Sequence, residues 1–131
     1  MKKLLILLLL LVSTSVFAEW TRVTESADGD MTTYIDYGTI KKKGHKVKVW
    51  NLFDYKTVRI GAANERYLSS VTRFEYDCEE EMVRQLDVHW YSRNMRQGEI
   101  VFSYPNVKDE AESVMPGSIG ETLFKIACGK K

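Results

Sequence analysis

Histidine is the residue most often used for acid–base chemistry and metal binding at neutral pH, and this sequence contains two. His45 lies in a lysine-rich segment, where neighbouring cations disfavour a bound metal ion. His89 is two residues from Asp87, so both side chains would project from one face of a strand. A protein metal site needs three or four ligands, and no third ligand is evident beside this pair. Both histidines are therefore predicted to be exposed surface residues, and no metal site is expected.

Motifs that would carry catalysis or bind a cofactor are missing from the sequence. The acidic run at 79–81 lacks the glycine and the spaced oxygen ligands of a calcium loop, so it is predicted to be a solvated turn. There is no Gly-x-Ser-x-Gly elbow and no glycine-rich phosphate loop. We therefore expect a protein that is not an enzyme, with no catalytic residues and no cofactor.

Positive charge is concentrated in one segment of the sequence, where five lysines are followed by a tryptophan. These residues are Lys41, Lys42, Lys43, Lys46, Lys48 and Trp50. The favoured explanation is edge protection, because lysines on an exposed strand discourage sheet-to-sheet association. The alternative is a ligand surface for acidic glycans or anionic lipid headgroups. Trp50 and Leu52 would then add an aromatic anchor for a protein partner, flanked by the lysine stems.

Residues 1–18 have the order of a secretory signal peptide. Two lysines precede an apolar run at 4–12, and Val16 and Ala18 occupy the −3 and −1 positions of a cleavage site. A transmembrane helix needs about 20 apolar residues, and this run has roughly half that number. Cleavage would leave Glu19 as the first residue, with no cysteine for an N-terminal lipid anchor. Nothing later in the sequence is apolar enough to span a bilayer.

Removing these 18 residues from the 131 leaves 113, which suits a single domain at 19–131 with one hydrophobic core. The formal charge changes from +1 to −1, because the segment contains two lysines and no acids. Such a balance argues against a nucleic-acid partner, which requires a strongly basic surface.

The two cysteines, Cys78 and Cys128, both lie in this mature region. A pair of cysteines in an exported chain most simply forms one disulfide bond. The closed loop of about 50 residues would contribute on the order of 4 kcal/mol in the chain-entropy model. A redox role is the alternative, but the sequence has no Cys-x-x-Cys.

Six β-prone segments separated by turns favour an antiparallel meander. They are 20–24, 31–36, 46–56, 67–78, 82–91 and 99–104. The segment at 46–56 has apolar residues on both sides, so both of its faces are expected to be partly buried. In the fifth segment one apolar face is predicted, interrupted only by Arg84. In the sixth, Ile100, Phe102 and Tyr104 are predicted to point inward.

The end of the sequence changes to a helical period. Ser118 and Glu121 have the spacing of a capping box, and an amphipathic stripe follows. Gly129 is placed to end the helix. We expect a helix of about three turns, too short to be stable alone in water, with Cys128 in its last turn.

Several of these segments also occur together, in this order, in one known family. The segments are Tyr-Ile-Asp at 34–36, Val-Lys-Val-Trp-Asn-Leu at 47–52, Asp-Tyr-Lys at 54–56, Phe-Glu-Tyr-Asp-Cys at 74–78, Asn-Met at 94–95, Gly-Glu-Ile-Val at 98–101, Met-Pro-Gly-Ser at 115–118 and Cys128. They resemble the surface-adhesin protein E family of Gram-negative bacteria over nearly the whole mature region. The resemblance implies an α+β fold, with an antiparallel sheet packed by a C-terminal helix and held by a Cys78–Cys128 bridge. It also implies a non-enzymatic role, since its best-known members adhere to host proteins from the outer surface.

Two functional hypotheses follow. The first is an exported binding module of the adhesin type, with a host extracellular protein or matrix as partner. The second is a periplasmic structural or interaction protein, motivated by the missing lipidation cysteine. Location in the periplasm or on the outer surface therefore stays open. An exposed edge strand would also allow a homodimer.

Overall fold

The computed structural model describes residues 18–106 and 110–129. All but the last residue of the predicted signal peptide lies outside this part of the chain. Within it, the elements are β1 (Thr21–Glu25), β2 (Met31–Lys43), β3 (Lys46–Ile60), β4 (Arg66–Asp77), β5 (Met82–Tyr91), β6 (Ile100–Tyr104), β7 (Glu112–Ser113) and α1 (Ile119–Cys128).

Strands β1 to β6 form one antiparallel sheet in chain order. The two-residue strand β7 pairs with the start of β5. The predicted meander with a C-terminal helix is therefore confirmed. Strands β2 and β3 are longer than predicted, because bulges between Asp36 and Lys41 and between Asp54 and Arg59 carry the pairing past the expected turns.

Helix α1 covers one face of the sheet, which we call the helix face, and we call the other the open face. On the helix face, Ile35, Val47, Val49 and Tyr76 are buried together with three residues of α1, namely Leu123, Phe124 and Ala127. The rings of Tyr76 and Phe124 meet edge to face at 5.9 Å. Burying side chains such as Leu123 and Phe124 contributes about 1.5–3 kcal/mol each, which offsets the low intrinsic stability of a short helix.

Both ends of α1 are capped. The Ser118 hydroxyl accepts a hydrogen bond from the Glu121 amide at 3.1 Å. The Glu121 carboxylate accepts from the Gly117 amide at 3.4 Å, one residue before the position that a capping box predicts. Gly129 has φ 68° and donates to the Ile126 carbonyl at 3.2 Å, so the predicted glycine cap is confirmed.

The predicted disulfide is present between Cys78 and Cys128, with Cα atoms 5.7 Å apart. Cys78 follows the last residue of β4, and Cys128 is the last residue of α1. The bond therefore holds the end of the helix against the end of β4, a central strand of the sheet.

Two side-chain predictions were wrong. Gln85 is opposite Phe74 and Asp87 is opposite Arg73, so Leu86 is an extra residue in β5. Because of this bulge, alternate residues of β5 that were predicted to share one face lie on opposite faces before and after Leu86. Arg84 lies on the open face.

In β6, Ile100 and Tyr104 are 55% and 54% exposed rather than inward. Tyr104 is opposite Val88 on the helix face, but β6 lies at the edge of the sheet, whereas α1 packs on β3 and β4. Ile100 is opposite Tyr91 because of a register shift in this strand pair, so it lies on the open face, which α1 does not cover. Only Phe102 finds cover, against the Trp90 ring at 4.4 Å.

Replacing both cysteines with serine is expected to lower the free energy of unfolding by about 4 kcal/mol, because the closed loop contains about 50 residues. Urea denaturation of the oxidised protein and of the double variant measures this difference. Hydrogen exchange should show the largest loss of protection in α1. Equal urea midpoints would mean that the bond adds nothing to stability.

Candidate functional site

The β2–β3 hairpin directs four lysines to the open face. Lys41 is directly opposite Lys48, and Lys43 is directly opposite Lys46. All four are exposed, and we call them the lysine patch. Like charges directly opposite on neighbouring strands destabilise a sheet, so folding alone does not favour this arrangement.

Lys42 points the other way. It is opposite the buried Val47 on the helix face. Its ammonium lies near Gly129 at the end of α1, 3.9 Å from where a Cβ would stand on that glycine. Lys42 thus projects to the opposite face from the other four lysines of the predicted surface, although it still borders the cavity beside them.

A shallow cavity of about 400 Å³ lies beside the lysine patch, bordered by the five predicted lysines and Glu75. Glu75 is 8% exposed and accepts from the Arg84 guanidinium at 2.8 and 2.9 Å. The Lys46 ammonium is 4.0 Å from the same carboxylate. Because Arg84 already neutralises Glu75, the patch keeps an excess of positive charge.

Trp50 lies on the same face but lines a second cavity, of about 410 Å³. This aromatic cavity is lined by Ala18, Trp20, Asp36, Thr39, Trp50, Val71, His89, Tyr91, Arg96 and Ile100. Beneath it, Leu52, Val71 and Tyr91 form a small buried cluster separate from the helix-face core. The predicted burial of both faces of β3 is therefore confirmed.

An ion pair stands beside Trp50. The Arg73 guanidinium lies 5.7 Å from the centre of the Trp50 ring and donates to the Asp87 carboxylate at 2.6 Å. Asp87 also accepts from the Asn106 amide at 3.0 Å. Burial alone would raise the pKa of Asp87, but the Asn106 amide and Arg73 outweigh it and lower the pKa below its ordinary value.

Both histidines were predicted to be exposed, and His89 differs from that prediction. His45 is exposed as predicted, although its ring lies between the carboxylates of Asp77 at 3.4 Å and Glu79 at 3.6 Å rather than among cations alone. His89 is partly buried, because it stacks with Trp50 at 6.1 Å and its Nδ1 is 2.7 Å from the Ser103 hydroxyl. In the described ranges, no group of three or more His, Cys, Asp or Glu side chains is arranged to hold a metal ion.

Sequence reasoning missed Arg96 in the aromatic cavity. It lies in the loop between β5 and β6, where Met95 and Arg96 have positive φ values of 55° and 62°. The Met95 amide donates to the Asp54 carboxylate at 2.7 Å, and the Arg96 amide donates to the Ser69 hydroxyl at 3.0 Å. Residues other than glycine rarely adopt this conformation, so residue types alone gave no signal for it.

The Asp87→Asn variant is expected to be about 2 kcal/mol less stable at neutral pH, because it leaves Arg73 without its charged partner; partial exposure of Arg73 keeps the loss modest. The pKa of Asp87 is lowered in the folded state. The ionised Asp87 carboxylate therefore stabilises the fold above about pH 4, and this stabilisation disappears as pH falls through the folded pKa. Urea denaturation at neutral pH and at about pH 2.5 would test this. The exposed variant Glu112→Gln is the control, and a loss that does not depend on pH would contradict the assignment.

Within the described residues, no helix is both long and apolar enough to cross a membrane.

Comparison with known proteins gives a family and a fold. The family model described as surface-adhesin protein E matches residues 20–129. No curated protein sequence matches this chain. The selenomethionine form of Haemophilus influenzae protein E superposes with a TM-score of 0.61 at 15% identity, covering 89% of this chain and 91% of that one. Protein E from non-typeable Haemophilus influenzae gives 0.58 at 15% identity, covering 89% and 80%.

Proposed function

Because this chain belongs to the surface-adhesin protein E family, we propose that it is an exported, non-enzymatic module that adheres to host extracellular proteins or matrix. The match covers residues 20–129, so the family assignment rests on the whole sheet and the helix together. We assign the contact surface to the lysine patch and the adjoining Trp50.

The position of the lysine patch in the sheet supports a ligand surface over edge protection. In the described part of the chain, β1 pairs with β2 only as far as Ile35, so the outer side of β2 at 37–43 is an edge. Edge protection therefore accounts for Lys41 and Lys43. It does not account for Lys46 and Lys48, because β3 is paired on both sides, with β2 and with β4.

The partner surface expected from this patch is acidic. Four exposed ammonium groups on one rigid hairpin attract carboxylates, sulfates or phosphates and steer their approach. Such binding weakens as salt is added, because the charges are exposed to solvent.

The variant carrying Lys41→Gln, Lys43→Gln, Lys46→Gln and Lys48→Gln should bind immobilised basement-membrane matrix at least about tenfold more weakly than the unchanged protein. The matched control is Lys56→Gln with Lys125→Gln, which removes exposed lysines that do not border this cavity and should retain binding within about twofold. Plate binding over a range of salt concentrations measures both. Equal binding by the two variants would rule out the patch as the contact surface.

The same variants address self-association. We propose that a homodimer, where one forms, uses the outer edge of β2 at 37–43. If the lysines serve only to protect that edge, light scattering will show the four-lysine variant to be larger than the control while matrix binding is unchanged. Loss of matrix binding with no change in size supports the ligand surface.

We further propose that residues 1–18 are a signal peptide removed after Ala18, and that the domain at 19–131 reaches the outer surface. The alternative is a periplasmic structural or interaction protein, favoured by Glu19 rather than cysteine after the cleavage site.

Mass spectrometry of the mature protein should find Glu19 as its first residue. Protease added to intact cells should then digest the protein, while a periplasmic marker protein survives. Digestion only after the outer membrane is permeabilised would support the periplasmic alternative, and crosslinking in cells would then be needed to identify its protein partner.

A further inference from the structure

The aromatic cavity is a second candidate site on the open face, distinct from the lysine patch. With Ala18 among its lining residues, its volume of about 410 Å³ falls in the range of small-molecule sites, about 300–1,000 Å³. Apolar walls with a few polar groups are typical of such sites. Here Trp20, Trp50, Val71 and Tyr91 supply the walls, and Asp36 and Arg96 supply charges of opposite sign.

Asp36 is a buried carboxylate without a cation. Its side chain belongs to a residue that is 9% exposed, and its Oδ1 accepts one hydrogen bond, from the Gly38 amide at 3.0 Å. Among the residues that the structure describes, no lysine, arginine or histidine forms an ion pair with it, although eight other ion pairs are present. Burying an unpaired charge is unfavourable, so a carboxylate in this position is suited to a cation that arrives from outside.

Arg96 is a cation without an acid. Its Nε donates to the Tyr91 hydroxyl at 3.3 Å, and its guanidinium lies 5.9 Å from the centre of the Tyr91 ring. In contrast to Arg73 and Arg84, it has no carboxylate partner in the described ranges.

The backbone of Arg96 has a positive φ that is held in place by Ser69, and its neighbour Met95 is held by Asp54. Unfavourable backbone conformations persist where the surroundings enforce them, and they cluster at binding sites. The loop thus fixes the backbone of Arg96 beside the cavity, and the exposed side chain reaches the Tyr91 hydroxyl from there.

We propose that the aromatic cavity binds a small organic zwitterion. The ammonium group of the ligand contacts the Asp36 carboxylate and the faces of Trp20 and Trp50, because aromatic rings attract quaternary and alkylated ammonium groups. The carboxylate or phosphate of the ligand contacts the Arg96 guanidinium. A neutral ligand would leave both charges unpaired, whereas a zwitterion satisfies them together.

One group of the chain itself could compete for Asp36. Ala18 lines the cavity, so cleavage after this residue would create the α-ammonium of Glu19 near the cavity wall. That group would satisfy Asp36 but not Arg96, because the Glu19 side chain is exposed and does not line the cavity. The test below treats self-occupancy as an outcome that overturns the proposal.

The experiment uses the mature chain beginning at Glu19, with glycine betaine and phosphocholine as probes. Calorimetry and the fluorescence of the cavity tryptophans should both show saturable binding to one site. Choline alone and inorganic phosphate alone should each bind at least about tenfold more weakly, because each satisfies one charge only.

Two variants separate the charges. Asp36→Asn keeps an oxygen acceptor for the Gly38 amide, and Arg96→Gln keeps the loop, so each should fold and should lose at least about tenfold in affinity for the zwitterions. The matched control is Arg93→Gln, an exposed arginine of the same loop that does not line the cavity. If Asp36→Asn fails to fold, Arg96→Gln alone still tests the anionic contact.

Three results would overturn the proposal. They are no saturable binding of either zwitterion, equal affinity in all three variants, or a fall in the pKa of the Glu19 amine on Asp36→Asn without zwitterion binding, which would show self-occupancy. The four-lysine variant should still bind the zwitterions. Failure of matrix adhesion and failure of this site are therefore distinguishable.

Discussion

A helix of ten residues cannot cover both faces of a six-stranded sheet, and the organisation of this protein follows from that constraint. Helix α1 is placed on β3 and β4, where the Cys78–Cys128 bond and the Tyr76–Phe124 contact hold it. The helix face beneath it is a conventional apolar core. The open face has no such cover, so its side chains must be compatible with water and with one another.

The open face meets this requirement in successive rows across the strands. Lys48, Glu75 and Arg84 form one row, Trp50, Arg73 and Asp87 the next, and Leu52, Val71 and His89 the one after that. The rows contain fewer acidic and basic (Lys, Arg, Asp, Glu) side chains along the face, from three in the first row to two in the second and none in the third. The lysine patch and the aromatic cavity lie at the two ends of this gradient, and one molecule can therefore present an electrostatic surface and a small-molecule site side by side.

Much of the fold could be predicted because its signals are local. Strand alternation, the Ser118 cap and Gly129 each depend on residues close in sequence, and the two cysteines leave only one pairing. The bulge at Leu86 could not be predicted in this way, because the extra residue is defined only by the partner strand β4. The same holds for Ile100, whose face is set by a register shift against β5, and for Tyr104, whose exposure depends on how far α1 extends across the sheet.

The candidate site was predictable only in part, for a related reason. The lysines were visible as a run, but the hairpin register decides that Lys42 faces away from the other four. Asp36 and Arg96 are 60 positions apart and meet in one cavity only after the meander and the strained loop are in place. No sequence window contains both, so their opposite charges could not be related before folding.

The Cys78–Cys128 bond also fixes the order in which the parts of the protein can assemble. Cys128 follows every described strand in the chain, so its bond to Cys78 can close only after all of those strands have been synthesised. During that interval the apolar helix face is without its cover and is open to aggregation or to a premature disulfide with another molecule. Folding of a protein of this design therefore depends on how soon the helix follows the strands and on what covers the exposed apolar surface until then.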